Sequence, residues 1–333
     1  MATPTNELLG SPLPAISVIL PVLNEESHLE SAVLSVLSQD YRGPIEIILA
    51  LGPSRDRTNE IAAKLSERDS RVKLIESPSG KTAAGLNVAL AASSSPVVVR
   101  VDGHAQIPHN YLSLIIEILN ETGAVNVGGV MAAVGTNAFE RAVAGAMRSP
   151  FGVGASRFHT GGEAGEVDTV YLGAFRREAL VAIGGFDERF TRAQDWELNF
   201  RLRENGGIIY FDPRLHVTYR PRSTVRALAK QYFEYGRWRR VVSRKHSGTI
   251  NIRYLAPPFA LLGFIFSLIL GSLIKPVFFI PAVVYLLFLL FASFKIATSI
   301  REYFLLLIVI PTMHFAWGAG FISSPKTLVP TSH

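Results

Sequence analysis

A chain of 333 residues, 48% hydrophobic and 18% charged, can bury one large core or two smaller ones, which excludes disorder as its description. Cysteine is absent, so disulfides, thiolate metal sites and a cysteine nucleophile are excluded together. The net charge of +6 does not point to nucleic acid, because ten Lys and Arg residues crowd between Arg220 and Arg253, just before an apolar run; that pattern suits anionic lipid headgroups.

Residues 1–15 read as a tail with neither a basic start nor an apolar stretch. No cleavable leader is visible, and the domain that follows is expected to stay in the cytoplasm. ISVILP (16–21) predicts a short buried strand, and Asn24 is expected to cap a helix carrying Leu29, Val33, Val36 and Leu37 at helical spacing. IEIILAL (45–51) predicts a second strand, 58–68 a helix, VKLI (72–75) a third strand, 81–92 a helix of small residues and VVVRV (97–101) a fourth strand. Alternating strands and helices with nearly continuous apolar strands imply an α/β fold with a doubly wound, mostly parallel sheet and helices on both faces.

A helix at 108–120 and a strand at 125–134 come next. The Gly-rich stretch 145–166 reads as loop plus an amphipathic helix, and is followed by a helix at 192–205, two strand-like segments at 207–211 and 215–220, and a long basic helix at about 223–246. From Leu255 three segments of 19–20 residues (255–274, 276–294, 303–322) contain no Asp, Glu, Lys or Arg. Each can cross a hydrocarbon core of about 30 Å. With the basic block inside, Lys295–Arg301 also falls on the cytoplasmic side and Lys275 outside. Pro257, Pro258, Pro281 and Pro311 leave open a re-entrant or interfacial segment. The expected domains are therefore 16–222 (catalytic), 223–254 (basic, interfacial), 255–322 (three transmembrane helices) and a tail at 323–333.

In a doubly wound sheet ligands sit beyond the carboxyl ends of the strands. Three polar clusters fall there: Pro21-Val22-Leu23-Asn24-Glu25-Glu26, Ser54-Arg55-Asp56-Arg57-Thr58 and Asp102-Gly103-His104. The last puts a carboxylate and an imidazole two residues apart on a turn that Gly103 permits, so both can face one divalent cation; as an isolated triplet it is usually just a turn. Gly80-Lys81-Thr82 mimics the end of a phosphate-binding loop, but Ile75 occupies the first glycine position, which argues against nucleotide-triphosphatase chemistry. His28, His109, His159 and His246 show no metal spacing and are expected on the surface. His314 lies inside the third apolar segment, where an ionisable group is costly and often functional; a lipid acceptor groove and a place near the interface beside Trp317 are both open to it.

The stretches SVILPVLNEE, SRDRTNEIA, GKTAAGLNVAL, VRVDGHA, LGAFRREAL, GGFDERF and QDWELNFRLR, in this order, make the chain resemble family 2 glycosyltransferases of the GT-A fold, over roughly 16–255. More narrowly it resembles the succinoglycan-type, ExoA-like glucosyltransferase group, which HFAWGAGF (314–321) also matches. The resemblance implies a nucleotide-sugar donor with Pro21, Asn24 and Glu25 at its base and ribose, and Asp56, Lys81, Asn87 and Asp102 as further donor contacts. It implies Mn2+ or Mg2+ at Asp102 and His104, the position of the family's DxD motif. Leu51 stands where many relatives carry a base-contacting Asp.

The same resemblance makes Asp195 the general base. As a residue it also reads as a helix cap, and Glu197 and Asp187 are its nearest competitors. Gln194, Trp196, Arg237 and Trp238 are candidates for the acceptor or the phosphates, with core packing an equal reading of Trp196 and headgroup contact an equal reading of Arg237. Gln231 and Arg237-Trp238 resemble the QxxRW motif of processive synthases, but five residues intervene instead of two, so processive synthesis is not expected. Tyr219 and His216 lie near where many relatives have a metal-binding His. The function so implied is inverting transfer of a hexose from a nucleotide diphosphate sugar, with UDP as the expected carrier, to a lipid-linked polyprenyl saccharide at the inner membrane, with membrane lipids but no nucleic acid as partners. A polyprenyl-phosphate sugar synthase and a catalytically silent membrane scaffold are the alternatives.

Overall fold

The structure is a computed structural model, describing residues 13–328, which form two compact units. Unit 1 comprises 13–128, Ala164–Glu188 and Leu198–His216; unit 2 comprises Gly129–Glu163, Arg189–Glu197 and the chain from Val217 onward.

One eight-stranded sheet runs in the order β3-β2-β1-β4-β7-β5-β8-β6. Its strands are β1 (Ile16–Val22), β2 (Ile45–Leu51), β3 (Val72–Glu76), β4 (Val97–Arg100), β5 (Asn126–Ala133), β6 (Gly165–Glu166), β7 (Tyr171–Arg176) and β8 (Ile209–Tyr219). Strands β1 to β4 are parallel, with Ile16 opposite both Ile45 and Val97. Ile16, Val18, Ile19, Leu20 and Val97–Val99 are all buried, which is why these strands read as unbroken apolar runs. Beyond β4 the sheet becomes mixed: β7 pairs with β4, and β6 with β8, antiparallel. Strand order reverses between β1 and β4, the topological switch point beyond whose carboxyl ends open α/β sheets place their ligands.

The crossovers are α1 (Leu29–Leu37), α2 (Thr58–Arg68), α3 (Thr82–Ala92) and α4 (Tyr111–Thr122), within a few residues of the predicted bounds. Asn24 caps none of them. Helix α1 starts after His28, while Asn24 lies in the left-handed region at φ 56° with its side chain turned to the next loop. The region 145–166 holds no amphipathic helix. Helix α5 (Ala138–Met147) ends as it begins, and the remainder contains two single turns, α6 (Pro150–Val153) and α7 (Arg157–Thr160), stopped by Gly154 and Gly161 at φ 72° and 75°. Strand β7 and the short α8 (Arg177–Ala182) are absent from the sequence reading. The two strand-like segments at 207–220 are one strand, β8. Pro213 is tolerated in it because β6 pairs only with Tyr210 and Phe211, leaving no ladder partner on that edge.

Unit 2 holds the start of α9 (Gln194–Glu204), then α10 (Val225–Lys245), α11 (Ile252–Leu273), α12 (Ile280–Ile296) and α13 (Ile300–Ser323). Three helical segments, Ile252–Leu273, Pro276–Ile296 and Ile300–Ser323, are long and apolar enough to cross a membrane, with mean hydropathy 1.9, 2.6 and 1.8. The prolines break none of them: Pro257, Pro258 and Pro311 lie inside helices and Pro281 in a first turn. Exposed Phe259, Leu273, Phe294 and Phe304 are the apolar surface that a bilayer would cover, and they mark the chain as membrane-associated.

Helix α10 is amphipathic and basic as read, but it packs on α13 through glycines. A Cβ on Gly236 would collide with the carbonyl of Trp317, and one on Gly320 with that of Phe233. Most of the basic block is engaged inside unit 2. Arg220 reaches Glu140, Arg237 pairs with Glu234, and Arg244 donates to the carbonyls of Ser324 and Pro325. Arg222, Arg226 and Lys230 remain exposed. His314 is satisfied within the helices: Nε2 donates to the Phe151 carbonyl at 2.9 Å, leaving Nδ1 to accept from the Tyr285 hydroxyl at 3.2 Å.

Candidate active site

In unit 1 the loops after β1, β2 and β4 converge at the switch point. The first two are tied by reciprocal bonds across about thirty residues of sequence. Asn24 Oδ1 accepts from Arg55 N at 2.8 Å while Asn24 N donates to Ser54 Oγ at 3.1 Å. Glu25 N donates to Thr58 Oγ1 at 2.7 Å, and Glu26 N to Asp56 Oδ2 at 3.2 Å. The other oxygen of Asp56 accepts from the Thr58 amide and hydroxyl, and the hydroxyl bond above all holds its pKa below the ordinary aspartate range. Asp56 thus spends its carboxylate on joining two loops.

The loop after β4 packs on the first. His104 Nδ1 lies 2.8 Å from Glu25 Oε1. A carboxylate only accepts, so Nδ1 carries the proton and, in the neutral ring, Nε2 carries the lone pair; this is how a second carboxylate prepares a metal-binding imidazole. Asp102 Oδ1 accepts from Arg100 Nε at 2.9 Å, and Arg100 is only 4% exposed. Gly103 sits in a turn closed by Ala105 N on the Asp102 carbonyl; its φ is not positive, and a Cβ there would stand 3.1 Å from Glu25 Cγ, so that the Glu25 side chain would have to give by a few tenths of an ångström. Among the described residues no three His, Asp or Glu side chains form a preassembled metal cage.

Pro21 ends β1 against α3, 3.3 Å from where a Cβ of Gly85 would sit. Lys81 is exposed at the start of α3. Asn87, one turn further on, braces a loop: Oδ1 accepts from Phe186 N and Nδ2 donates to Phe186 O, both at 2.8 Å, while Gly185 at φ 69° leaves no room for a side chain beside it.

The other predicted residues belong to unit 2. Gln194 is buried at the start of α9, directly after Ala193, which holds a left-handed φ of 58°, and Asp195 follows in the first turn. Trp196 lies under Arg239, whose guanidinium carbon is 3.7 Å from the ring centroid. Glu197 is fully buried, and its Oε1 accepts from Lys245 Nζ at 2.8 Å and lies 3.1 Å from His246 Nε2. His246 is therefore an internal partner and not the surface residue expected, whereas His28 and His109 are exposed. His159 also departs from expectation, since burial pushes its pKa down to about 4. Trp238 is core, packed on Phe190 at 5.6 Å with Val241 and Val242. Arg237 is half-buried, and Gln231 bonds the hydroxyls of Tyr219 and Tyr235 at 2.8 Å. Sequence reasoning missed Arg100 and Arg239. The first was detectable as a lone charge inside the buried strand VVVR; the second reads like any other member of a basic run.

Polar loops at the switch point of a half-parallel sheet stand where open α/β folds place their ligands. The chain belongs to glycosyl transferase family 2, whose family model matches residues 17–184. The succinoglycan biosynthesis protein ExoA of Rhizobium meliloti is 31% identical over 308 residues, 91% of this chain and 93% of its own length. The dolichyl N-acetyl-α-D-glucosaminyl phosphate 3-β-D-2,3-diacetamido-2,3-dideoxy-β-D-glucuronosyltransferase of Methanococcus voltae is 25% identical over 92% of this chain and 95% of its own. Among solved structures, mannosyltransferase PcManGT from Pyrobaculum calidifontis, in complex with GDP-Man and Mn2+, superposes with a TM-score of 0.59 at 19% identity, covering 93% of this chain and 87% of that one. S. aureus TarS 1–349 gives 0.51 at 18%, covering 90% and 89%. These likenesses establish the GT-A fold.

Proposed function

We propose that the chain is an inverting, metal-dependent glycosyltransferase that moves a hexose from a nucleotide diphosphate sugar, of the UDP type, to a lipid-linked saccharide in polysaccharide or glycolipid synthesis. It would work at the cytoplasmic face of the inner membrane. The observation that carries this reading is the Glu25–His104–Asp102 arrangement at the switch point. A carboxylate and a Glu-oriented imidazole suit two positions on Mn2+ or Mg2+, with diphosphate oxygens and water completing the shell. A cation held by Asp102 and His104 would neutralise charge on the departing diphosphate. The Pyrobaculum neighbour's GDP-Man and Mn2+ support this, and the names of the Rhizobium and Methanococcus relatives support a polysaccharide product and a lipid-phosphate-linked acceptor.

Pro21, Asn24 and Glu25 take the base and ribose in this reading, Asp56 keeps their loop closed, and Lys81 meets donor phosphate. Asp195 is the base. Its carboxylate takes the acceptor hydroxyl proton as that oxygen bonds to the anomeric carbon, while the carbon–phosphate oxygen bond breaks on the opposite face and the diphosphate leaves; one displacement inverts the centre. Gln194, Trp196 and Arg237 orient the acceptor, and Trp238 supports them from the core.

The test is calorimetric titration of the full chain with UDP-, GDP- and TDP-sugars, with and without Mn2+, beside turnover of the variants. Binding is expected for one nucleotide only and only with metal. Asp195→Asn should keep that binding and lose turnover by roughly a thousandfold, and Asp102→Asn should lose metal-dependent binding itself. A parent protein that binds no nucleotide sugar under any condition sinks the proposal in favour of a scaffold.

A further inference from the structure

Five planar groups of unit 2 lie one over the next. The Arg239 guanidinium carbon is 3.7 Å from the Trp196 ring centroid on one side and 3.9 Å from that of Tyr254 on the other. Tyr254 stacks on Trp317, centroids 6.4 Å apart with planes 13° from parallel, and Trp317 stacks on Phe321 at 5.2 Å and 12°. The column thus starts one residue after Asp195, passes through α10 and the first turn of α11, and ends on α13. Arg239 is 6% exposed and donates through Nη2 to the carbonyl of Thr249, so it is a fixed spacer between two rings. A second grip lies beside it, where Lys245 and His246 take Glu197.

Something must hold this turn. Ala193 sits at φ 58°, a conformation that costs a non-glycine residue about 1 kcal/mol or more and persists only where the surroundings impose it. Trp196 and Glu197, three and four residues further on in the first turn of α9, are clamped, and Glu197 N donates to the Ala193 carbonyl at 3.0 Å. Three motifs that the donor site does not use, the DW of QDWELNFRLR, the RWRR of α10 and the WGAGF of α13, supply Trp196, Arg239, Trp317 and Phe321.

We infer that Arg239, backed by Tyr254 and Trp317, is a positioning residue. It fixes the strained turn that presents Asp195 and ties it mechanically to two helices apolar enough to span a membrane. The inference rests on the reading of Asp195 as the base.

The experiment uses the full chain in lipid nanodiscs with four variants: Arg239→Gln, Trp317→Leu, Trp317→Phe and the double Arg239→Gln/Trp317→Leu. Desolvated cation–π contacts of this kind make a loss of turnover of roughly tenfold the expectation for Arg239→Gln, with nucleotide-sugar affinity within about twofold of the parent. Trp317→Leu, remote from the turn, should lose roughly threefold or more. Trp317→Phe, which keeps a ring in the stack, should recover to within about twofold. The double variant should be no worse than Arg239→Gln alone, because both break one column.

Hydrogen exchange supplies a readout that needs no reaction. Amides of residues 193–200 should exchange at least about tenfold faster in Arg239→Gln and in Trp317→Leu, with α3 unchanged. Unaltered exchange there, or losses that multiply in the double variant, overturns the column. An active Asp195→Asn would instead refute the base while the exchange data still decide the clamp; an inactive Asp195→Asn beside a fully active Arg239→Gln refutes the clamp alone.

Discussion

The loops at the switch point of unit 1 and the turn before α9 in unit 2 solve the same problem, holding polar side chains still, by different means. The loops use single hydrogen bonds between side chain and backbone, many of them exposed, as in the Asn24–Arg55 and Glu26–Asp56 pairs. The turn uses stacked rings, glycine crossings and a buried acid with two basic partners. A set of independent exposed bonds, each contributing about 1 kcal/mol, fails gradually and leaves room for a ligand to enter. A desolvated cluster fails as a unit, because removing one member strands the others.

The sharpest way to break this contrast is Glu197→Ala. It removes the acceptor shared by Lys245 and His246 and should destabilise unit 2 by about 3 kcal/mol or more, read by denaturant unfolding in detergent. Gly236→Val comes next. Its side chain would meet the Trp317 carbonyl, so α10 and α13 must separate at a cost of about 2 kcal/mol, visible as a lower Tm.

Glu140 tests the charge side of the comparison. Burial raises its pKa, but hydrogen bonds from Thr136 and Arg220 outweigh that and bring it to about 2, below the unfolded value of about 4.3. A depressed acid stabilises above its unfolded pKa and loses that contribution as pH falls toward the folded one. Glu140→Gln should therefore lower Tm at pH 7, with the gap to the parent closing between about pH 4 and pH 2. A gap that persists at pH 2 would assign the effect to packing. The smallest effect belongs to unit 1: Asp56→Ala should shift Tm by a few degrees at most while weakening nucleotide-sugar affinity, since it loosens one tie between two exposed loops.

Much of unit 1 was legible because its signals are local. Strands β1 to β4 are apolar runs bounded by polar turns, and the helices between them carry periodic apolar faces, so bounds fell within a few residues. The mixed half was not legible. Strand β7 is six residues long with no alternation, and β8 runs through Pro213, which propensity reads as a break. In the site, Asp102 and His104 announced themselves by their position after a strand, but Glu25 as the partner of His104 joins residues 79 apart. Gly103 lies in the turn the sequence indicated, closed by Ala105 N on the Asp102 carbonyl, but its close approach to Glu25 is a tertiary contact that no turn rule contains.

By itself the sequence determined the parallel half of the sheet, the three long apolar helices and the kinds of residue at the strand ends, since hydrophobic periodicity and segment length act within a dozen or so neighbours. Only the tertiary structure decided which polar groups meet. It made Asp56 a loop tie, His246 a partner of Glu197 and Arg239 a spacer between two rings, because each of these depends on where distant segments cross. A run of basic residues looks uniform along the chain, and burial alone separates those left exposed from those that hold the protein together.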